Sequence, residues 1–527
     1  MFGGYLQKLL EEETPEIGVK ELYKRSGEWC IRNGDTLAGL KYLNKAREYD
    51  LILDEFEKSA GITLIMDSSP KYILELFEQI PEEAKRRHPI GYLAYAGFFV
   101  TNVDRDAGSR LLSELERYYE GDSGLTSGML RRVHGEIELI RAYIAFNNAP
   151  LMLERFKKAH ALLGGRSHIA NERKIITFGS PHSLYLYYRE TGGFLQAKEL
   201  VQDMFQYYTE MAGGCGRGFD DLLEAEYCLE TGDLDRAELN ARKAVHKATE
   251  LNQTSVLICS VFTIARAFAA RGKFDKALAL MGELKEEVEA AGGPILSSAF
   301  DVSFGYIGGI TGREDSFSQW LGEGDLAQSE ILYQGMGFNY IAYGKHLLLK
   351  GDFISLEVLC EQMQQVFSPF HNILGYLHAH ILSAVARHRL YGMDRAKESL
   401  LSALEIGKAD GVVLPFAEYG AHILDILKAL QQTGGKDEYL DFVLKNTARY
   451  AENLKSFQAH KEARPALTKR EREILMLVTE GRSNQEIAAA LFLAEVTVRK
   501  NITAIYRKLN VTGRAAAVRK ALELKIL

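Results

Sequence analysis

The sequence has few prolines, few cysteines and no long apolar run. Only 10 of its 527 residues are proline, and the alternation of apolar and polar residues that is typical of half-buried strands does not recur. The longest nearly uncharged apolar stretch, residues 91–100, has about half of the roughly 20 residues that a transmembrane helix needs. The first residues lack a basic segment followed by a long apolar one. We therefore expect a cytoplasmic, helical protein with no membrane partner.

The five cysteines are an odd number, lie far apart and form no Cys-x-x-Cys pair. They predict reduced and mostly buried thiols rather than disulfides or a metal site. His378 and His380 come nearest to a histidine cluster, but two residues on a helix are about 200° apart. We expect both to be surface or packing residues. No nucleophile–base spacing, phosphate loop or metal cluster is visible, so the sequence predicts neither an enzyme nor a cofactor.

Glycines recur through most of the chain at intervals of 39 to 41 residues. The series is Gly192, Gly232, Gly272, Gly312, Gly351 and Gly392. In four of the six units an alanine follows after four or five residues, at Ala197, Ala237, Ala277 and Ala396. This pattern is typical of helical hairpins in which a glycine ends one helix, an aspartate begins the next, and alanine allows close packing.

A hairpin of this length cannot bury its own apolar face, so neighbouring hairpins must stack. We predict an all-α fold with a solenoid of tetratricopeptide-like repeats over residues 15–430, then a helix and linker over residues 431–466. The period exceeds the 34 residues of the standard repeat, which predicts longer helices. Regularity should be weakest near residues 300–345, where glycines cluster. An irregular helical bundle with incidental glycines is the alternative.

The last sixty residues reverse the charge of the chain. Residues 465–527 carry a net charge of +6, whereas the preceding 464 residues carry −13. This reversal occurs at a junction that contains a proline, and it predicts a separate domain over residues 467–527. Two capping boxes, Thr468 to Glu471 and Ser483 to Glu486, begin helices there, and Thr512 is expected to cap a fourth helix.

Between Glu495 and Leu509 the sequence predicts a basic amphipathic helix with two stripes. The apolar stripe for packing consists of Val498, Ile502, Ile505 and Leu509. The opposite face carries Val496, Lys500, Thr503 and Arg507, flanked by Arg499. A helix with cations on its outer face suits the major groove of DNA. The pattern by itself is equally compatible with a solvated helix that docks on the repeats.

The order of these residues resembles the LuxR-type helix-turn-helix domain. The segments LT-REREIL, G-SN-EIA, L-L-TV, KL-V and R-AAV follow one another from Leu467 to about Leu524. The resemblance implies a scaffold helix over residues 484–491 and a recognition helix over about 495–509. It further implies that DNA bases are read by Arg499, Lys500 and Thr503, and that the DNA backbone is contacted by Asn484, Thr497, Arg507 and Lys508.

The same resemblance implies partners, and the sequence departs from the family pattern at two positions. Double-stranded DNA is the implied ligand and RNA polymerase an implied protein partner, while the fourth helix, over about 512–524, would pair two copies as a homodimer. The usual serine cap of the recognition helix is Ala494, a loss of about 1 kcal/mol of helix stability. A frequent histidine of that helix is Asn501. Neither change removes the basic face, so we expect DNA binding to survive.

Two segments, beginning at Glu21 and at Ala409, resemble the start and the end of the repeat domain of MalT-like regulators. Those regulators carry an ATPase module and a winged helix ahead of the repeats. This sequence contains no GxxxxGK[ST] loop, and residues 1–14 resemble the end of the winged helix. We therefore expect a form that lacks the ATPase module, either a natural short form or a truncated reading frame.

Together these features predict a sequence-specific DNA-binding transcriptional regulator. Its repeat domain would sense a small molecule or a partner protein and bias the availability of the carboxy-terminal module. The alternative is a repeat-based interaction scaffold with residual or no DNA binding.

Overall fold

The computed structural model describes residues 16–58, 70–121, 124–170, 175–433, 436–462 and 467–523. Within these ranges every regular element is a helix, and the predicted all-α fold is confirmed. Contacts divide the chain into two units, residues 1–450 and 451–527. Residues 1–14, predicted to resemble the end of a winged helix, lie outside the described ranges. In the described part of the chain, no helix is long and apolar enough to cross a membrane.

In the described ranges of the first unit, nine helices come first. They are α1 (Glu16–Arg32), α2 (Thr36–Ala46), α3 (Tyr49–Lys58), α4 (Pro70–Gln79), α5 (Glu82–Arg87), α6 (Pro89–Asn102), α7 (Arg105–Glu120), α8 (Ser127–Ile144) and α9 (Ala149–Leu163). A 3-10 turn at Leu184–Leu186 separates them from the six helices α10 (Phe194–Met211), α11 (Phe219–Glu230), α12 (Leu234–Glu250), α13 (Thr254–Ala270), α14 (Phe274–Ala291) and α15 (Pro294–Thr311).

The remaining helices of this unit follow a second irregular stretch. They are α16 (Gln319–Glu323), α17 (Gly337–Lys350), α18 (Phe353–Phe367), α19 (Ile373–Leu390), α20 (Met393–Asp410), α21 (Leu414–Tyr419), α22 (Ala421–Thr433) and the start of α23 (Glu438–Glu462). Two 3-10 turns, Glu314–Ser316 and Leu326–Gln328, flank the short α16. The loss of regularity expected near residues 300–345 is confirmed.

The repeat pattern read from the sequence is present in the helices. All six recurring glycines have positive φ, from +70° to +94°, and the four alanines that follow them are buried. Asp233 and Asp352 cap the next helices, since their carboxylates accept from the backbone N–H of Arg236 and Ser355 at 3.1 Å. Helices α12 and α13 have 17 residues each and α19 and α20 have 18 each, which confirms the prediction of long helices.

The segment before Gly192 departs from the expected hairpin, because the described residues directly ahead of this glycine, 175–191, form no α-helix. Residues 180–188 are buried in an irregular conformation. Their backbone is satisfied by distant groups instead of by a helix. The Glu226 carboxylate accepts from the N–H of Ser183 and Leu184 at 2.8 and 2.7 Å, and the amide of Asn372 donates to the carbonyl of Tyr185 at 2.8 Å.

A cluster of buried charges lies beside this segment. The Arg266 guanidinium, 1% exposed, pairs with Glu230 at 2.5 Å and with Glu418 at 2.8 Å. The hydroxyl of Tyr306 donates to Glu418 at 2.5 Å, and His182 Nε2 lies 2.9 Å from Glu230. The pairs are needed because an isolated buried charge is costly.

Lys345 enters the same cluster without an ion-pair partner. Its Nζ lies 3.8 Å from the ring centroid of Tyr419 and 4.5 Å from that of Tyr306, and it hydrogen-bonds to no group of the described chain. Burial, together with the charge of Arg266, lowers the pKa of the Lys345 ammonium to about 7, although Glu418 opposes this. The ring faces stabilise the cation only in part.

His378 also belongs to this interior. Its Nδ1 lies 2.9 Å from the Tyr419 hydroxyl, and burial lowers the pKa of its imidazole well below the ordinary value. Of the two positions that we expected to be surface or packing residues, His378 is thus a buried, hydrogen-bonded side chain. Four of the five cysteines, Cys215, Cys228, Cys259 and Cys360, are buried, as predicted, and none of the five forms a disulfide with a described residue.

The Lys345→Met substitution should remove a pH-dependent part of the stability. Unfolding returns the pKa of Lys345 from about 7 to about 10.4, so the unfolded state binds more protons between these values and stability rises with pH. From pH 7 to pH 9.5 the wild-type free energy of unfolding should gain at most about 3 kcal/mol relative to the variant. Urea unfolding of both proteins at the two pH values measures this difference.

Lys350→Met is the matched control, because Lys350 lies on the same helix with its side chain exposed and paired with Glu314 at 2.7 Å. This variant should keep the wild-type pH dependence. Equal pH dependence in wild type and Lys345→Met would show that the buried ammonium does not titrate between these pH values.

Candidate nucleic-acid interface

The second unit contains a four-helix module over residues 467–523. Its helices are α24 (Lys469–Thr479), α25 (Asn484–Ala490), α26 (Glu495–Lys508) and α27 (Arg514–Glu523). They share one apolar core, to which α26 contributes the predicted stripe of Val498, Ile502, Ile505 and Leu509. Burial of this stripe turns the other side of α26 towards solvent.

Both predicted capping boxes are formed. The N–H of Thr468 donates to Glu471 at 2.7 Å, and the N–H of Ser483 donates to Glu486 at 2.7 Å. Burial raises the pKa of the Glu471 carboxyl, but hydrogen bonds from Lys508 and Thr468 outweigh this effect and the pKa is lowered. The boxes fix where α24 and α25 begin, and Gly481, with φ +85°, forms the turn between them.

Helix α26, which is predicted to be the recognition helix, begins without a side-chain cap. Ala494 has the extended conformation of a cap residue, with φ −72° and ψ 141°, but offers no side-chain acceptor. The next residue, Glu495, accepts from Arg499 Nη2 at 2.6 Å and from its Nε at 3.2 Å. This ion pair spans the first turn of the helix. Arg499, one of the residues predicted to read bases, is therefore bound to Glu495.

The fourth helix begins at Arg514, one residue later than a cap at Thr512 requires. Gly513 precedes the helix, and the hydroxyl of Thr512 makes no hydrogen bond to a described residue. The expected cap is therefore wrong. Arg514 anchors this end of the helix instead, because its guanidinium donates to the carbonyls of Val478, at 3.2 Å, and Arg482.

The residues predicted to face DNA share the outer side of α26. Arg499, Lys500, Thr503 and Arg507 are all exposed. The Thr503 hydroxyl donates to the backbone carbonyl of Arg499 at 3.0 Å. Lys500 and Arg507 make no hydrogen bond or ion pair with any residue in the ranges given above. Two cations on this face are thus uncommitted, whereas Arg499 must leave Glu495 to reach another partner.

The residues predicted to contact the DNA backbone differ in their surroundings within the module. Lys508 Nζ lies 2.6 Å from Glu471 Oε2, and Glu471 is buried. This ion pair joins the last turn of α26 to the first turn of α24, so Lys508 has a structural partner that the sequence did not reveal. Asn484 and Thr497 are half-buried in the first turns of α25 and α26.

One internal anchor was missed by sequence reasoning. Arg470 donates to Glu473 at 2.7 Å and to the carbonyl of Leu491 at 2.5 Å. Leu491 follows the end of α25, where unpaired helix carbonyls favour a cation. The sequence shows only that a basic residue lies near the start of α24. No neighbouring residue indicates that its partner is the carbonyl of Leu491.

Among the described residues of the repeat unit, two groups have a histidine and two carboxylates at metal-ligand spacing. They are Asp54, Glu57 and His88, and Glu116, Glu120 and His134. In the first group His88 Nε2 lies 3.0 Å from Asp50 and Nδ1 lies 3.3 Å from Asp54. Both ring nitrogens are therefore already paired, as in other partly exposed ion pairs.

Comparisons with known proteins identify both parts of the chain. Residues 465–521 match the family described as bacterial regulatory proteins, luxR family, and residues 137–433 match the MalT-like TPR region. The spore germination protein GerE of Bacillus subtilis (strain 168) is 43% identical over 63 residues, which are 12% of this chain and 85% of that protein. An uncharacterized transcriptional regulatory protein, YhcZ, of the same organism is 32% identical over 93 residues, 18% of this chain and 42% of its own length.

The missing cap of α26 gives a testable prediction. The Ala494→Ser substitution should stabilise the helix by about 1 kcal/mol, because the backbone already has the conformation in which serine accepts a first-turn N–H. Hydrogen exchange of amides 497–505 in the full chain should slow by about fivefold.

The matched control is Ala489→Ser, which places the same side chain at an exposed position inside α25. It should slow no amide, since a serine inside a helix offers no cap. If Ala494→Ser leaves amides 497–505 unchanged, the first turn of α26 is not limited by its cap.

Proposed function

The chain belongs to the luxR family of bacterial regulatory proteins and has a MalT-like TPR region in its middle, and we propose that it binds DNA sequence-specifically to regulate transcription. We further propose that its repeat unit senses a small molecule or a partner protein. The observation that carries the DNA-reading proposal is the outer face of α26, where Lys500 and Arg507 are exposed and uncommitted.

The proposed contacts divide into two kinds. Lys500, with Arg499 and Thr503, reads base edges in the major groove, where lysine and arginine bind guanine. Arg507 lies two turns further along the same face and contacts phosphate, together with Asn484 and Thr497 at the helix starts. Lys508 contributes only when it shares its ammonium with Glu471. Such an arrangement predicts affinity that falls with salt and sequence choice that depends on few side chains.

We propose that two copies pair through α27. Leu522 is an exposed apolar side chain on this helix, and its burial between two copies would stabilise a dimer. A two-fold dimer binds two half-sites about one turn of DNA apart. RNA polymerase is the proposed protein partner once the dimer is bound.

A cavity supports the proposed sensing of a small molecule. It has a volume of about 700 Å³, within the range that is typical of ligand sites. Its walls come from the end of α12, the start of α13 and the end of α14, and include Asn252, Gln253, Thr254 and Glu287. Polar groups among apolar ones are what a site for a small polar molecule requires.

A repeat-based interaction scaffold remains the second candidate. Ile354 and Val358 lie one turn apart on α18 and are both exposed, which favours contact with another protein. In that case DNA binding by α26 would be residual.

Substitutions of Lys500 and Arg507 should separate base reading from phosphate contact. On a duplex selected from random DNA by the full chain, Lys500→Ala should cost about 1–3 kcal/mol and relax base preference at one position per half-site. Arg507→Ala should weaken binding to selected and random DNA alike and reduce the slope of log affinity against log salt concentration by about one. Fluorescence anisotropy over a series of salt concentrations measures both effects.

Lys455→Ala, which removes an exposed cation from α23, is the control and should change neither quantity. An equal loss on selected and random DNA for Lys500→Ala would assign Lys500 to phosphate contact.

Removal of the carboxy-terminal module should distinguish the regulator from the scaffold. A chain ending at residue 464 should not bind the selected duplex in a gel-shift assay, because all the residues proposed to contact DNA lie beyond residue 464. Binding that is equal with and without the module would contradict the regulator and leave the scaffold.

A further inference from the structure

Val496 is the aliphatic side chain on the outer face of α26. It is 62% exposed, whereas Val498 two residues later is fully buried in the core. Val496 precedes Lys500 by four positions, so both lie on the same side of the helix, one turn apart. The apolar side chain therefore begins the surface that the uncommitted cations continue.

Helix stability does not account for valine at this position. A β-branched side chain lowers helix propensity, and an exposed one gains little from burial. The first turn of a helix favours acidic or capping residues, since they interact with its unpaired N–H groups. Glu495 meets this preference at the neighbouring position and is held by Arg499, which leaves Val496 with no local role.

We propose that Val496 contacts the C5-methyl group of a thymine and is a specificity-determining residue beside Arg499, Lys500 and Thr503. The inference rests on the proposed DNA-binding function. The residues at the start of a recognition helix contact base edges. Valine has no hydrogen-bonding group in its side chain, and in the major groove the thymine methyl is the apolar feature that distinguishes one base pair from another.

The spacing between Val496 and Lys500 along the helix predicts how far the thymine lies from the base that Lys500 reads. One helical turn advances about 6 Å over four residues, and base pairs are stacked about 3.4 Å apart. The thymine is therefore expected within two base pairs of the position where Lys500→Ala relaxes base preference. The dyad of the dimer repeats this arrangement in the second half-site.

The test uses the full chain and the duplex that it selects from random double-stranded DNA. Each thymine is replaced in turn by deoxyuridine, which removes the methyl group and leaves every hydrogen-bonding group in place. At one position per half-site the wild type should bind the deoxyuridine duplex about fourfold more weakly, as expected for one buried methyl group. Val496→Ala should bind the two duplexes equally, and alanine favours the helix, so folding is retained.

Met476→Ala is the matched control, because Met476 is an apolar residue of α24 that is 50% exposed. This variant should keep the wild-type preference for thymine. The proposal is overturned if Val496→Ala retains the preference at every position, or if it weakens the thymine and deoxyuridine duplexes by the same factor.

Failure of this inference is distinguishable from failure of the proposed function. A full chain that enriches no sequence overturns both. Suppose instead that the full chain enriches a sequence, that Lys500→Ala loses base preference, and that Val496→Ala keeps the preference for the methyl group. The proposed function is then retained, and Val496 does not read a base.

Discussion

The buried guanidinium of Arg266 is the constraint on which the repeat unit depends. Removing a cation from water costs several kcal/mol unless carboxylates surround it, and Glu230 and Glu418 meet this requirement from helices α11 and α21. Arg266 and Glu418 are 152 residues apart in sequence. Because removal of Arg266 would leave both carboxylates without this cation in the interior, the two pairs favour the approach of the helices that carry them.

The irregular segment over residues 180–188 is the second consequence of this interior. A helix there would satisfy its own backbone, whereas an irregular chain needs acceptors and donors from elsewhere. Glu226 and Asn372 supply them, and Asp410 accepts from the N–H of Gly192, 218 residues away in sequence, at 2.6 Å. Middle and late repeats are thus joined by polar contacts between groups far apart in sequence.

The features that the sequence predicted correctly are those that a single helical turn determines. The positive φ of Gly232, the cap at Asp233 and the capping box at Ser483 depend on residues within four positions of one another. Apart from the local cap expected at Thr512, the features that it did not predict depend on distant partners. The irregular segment needs Glu226, and the ion pair of Lys508 needs Glu471, 37 residues away. One sequence contains no signal for such pairs, since each residue has an ordinary local alternative.

The internal contacts of the carboxy-terminal module change the meaning of its charge of +6. Arg470, Arg499, Lys508 and Arg514 are held by carboxylates or carbonyls of the module itself. Those cations stabilise the four helices, so fewer of the module's cations are available to phosphates than its basic residues suggest. In the proposed complex with DNA, affinity depends on the few outward side chains of α26. In the same proposed complex, sequence choice follows from the contacts of these side chains with base edges.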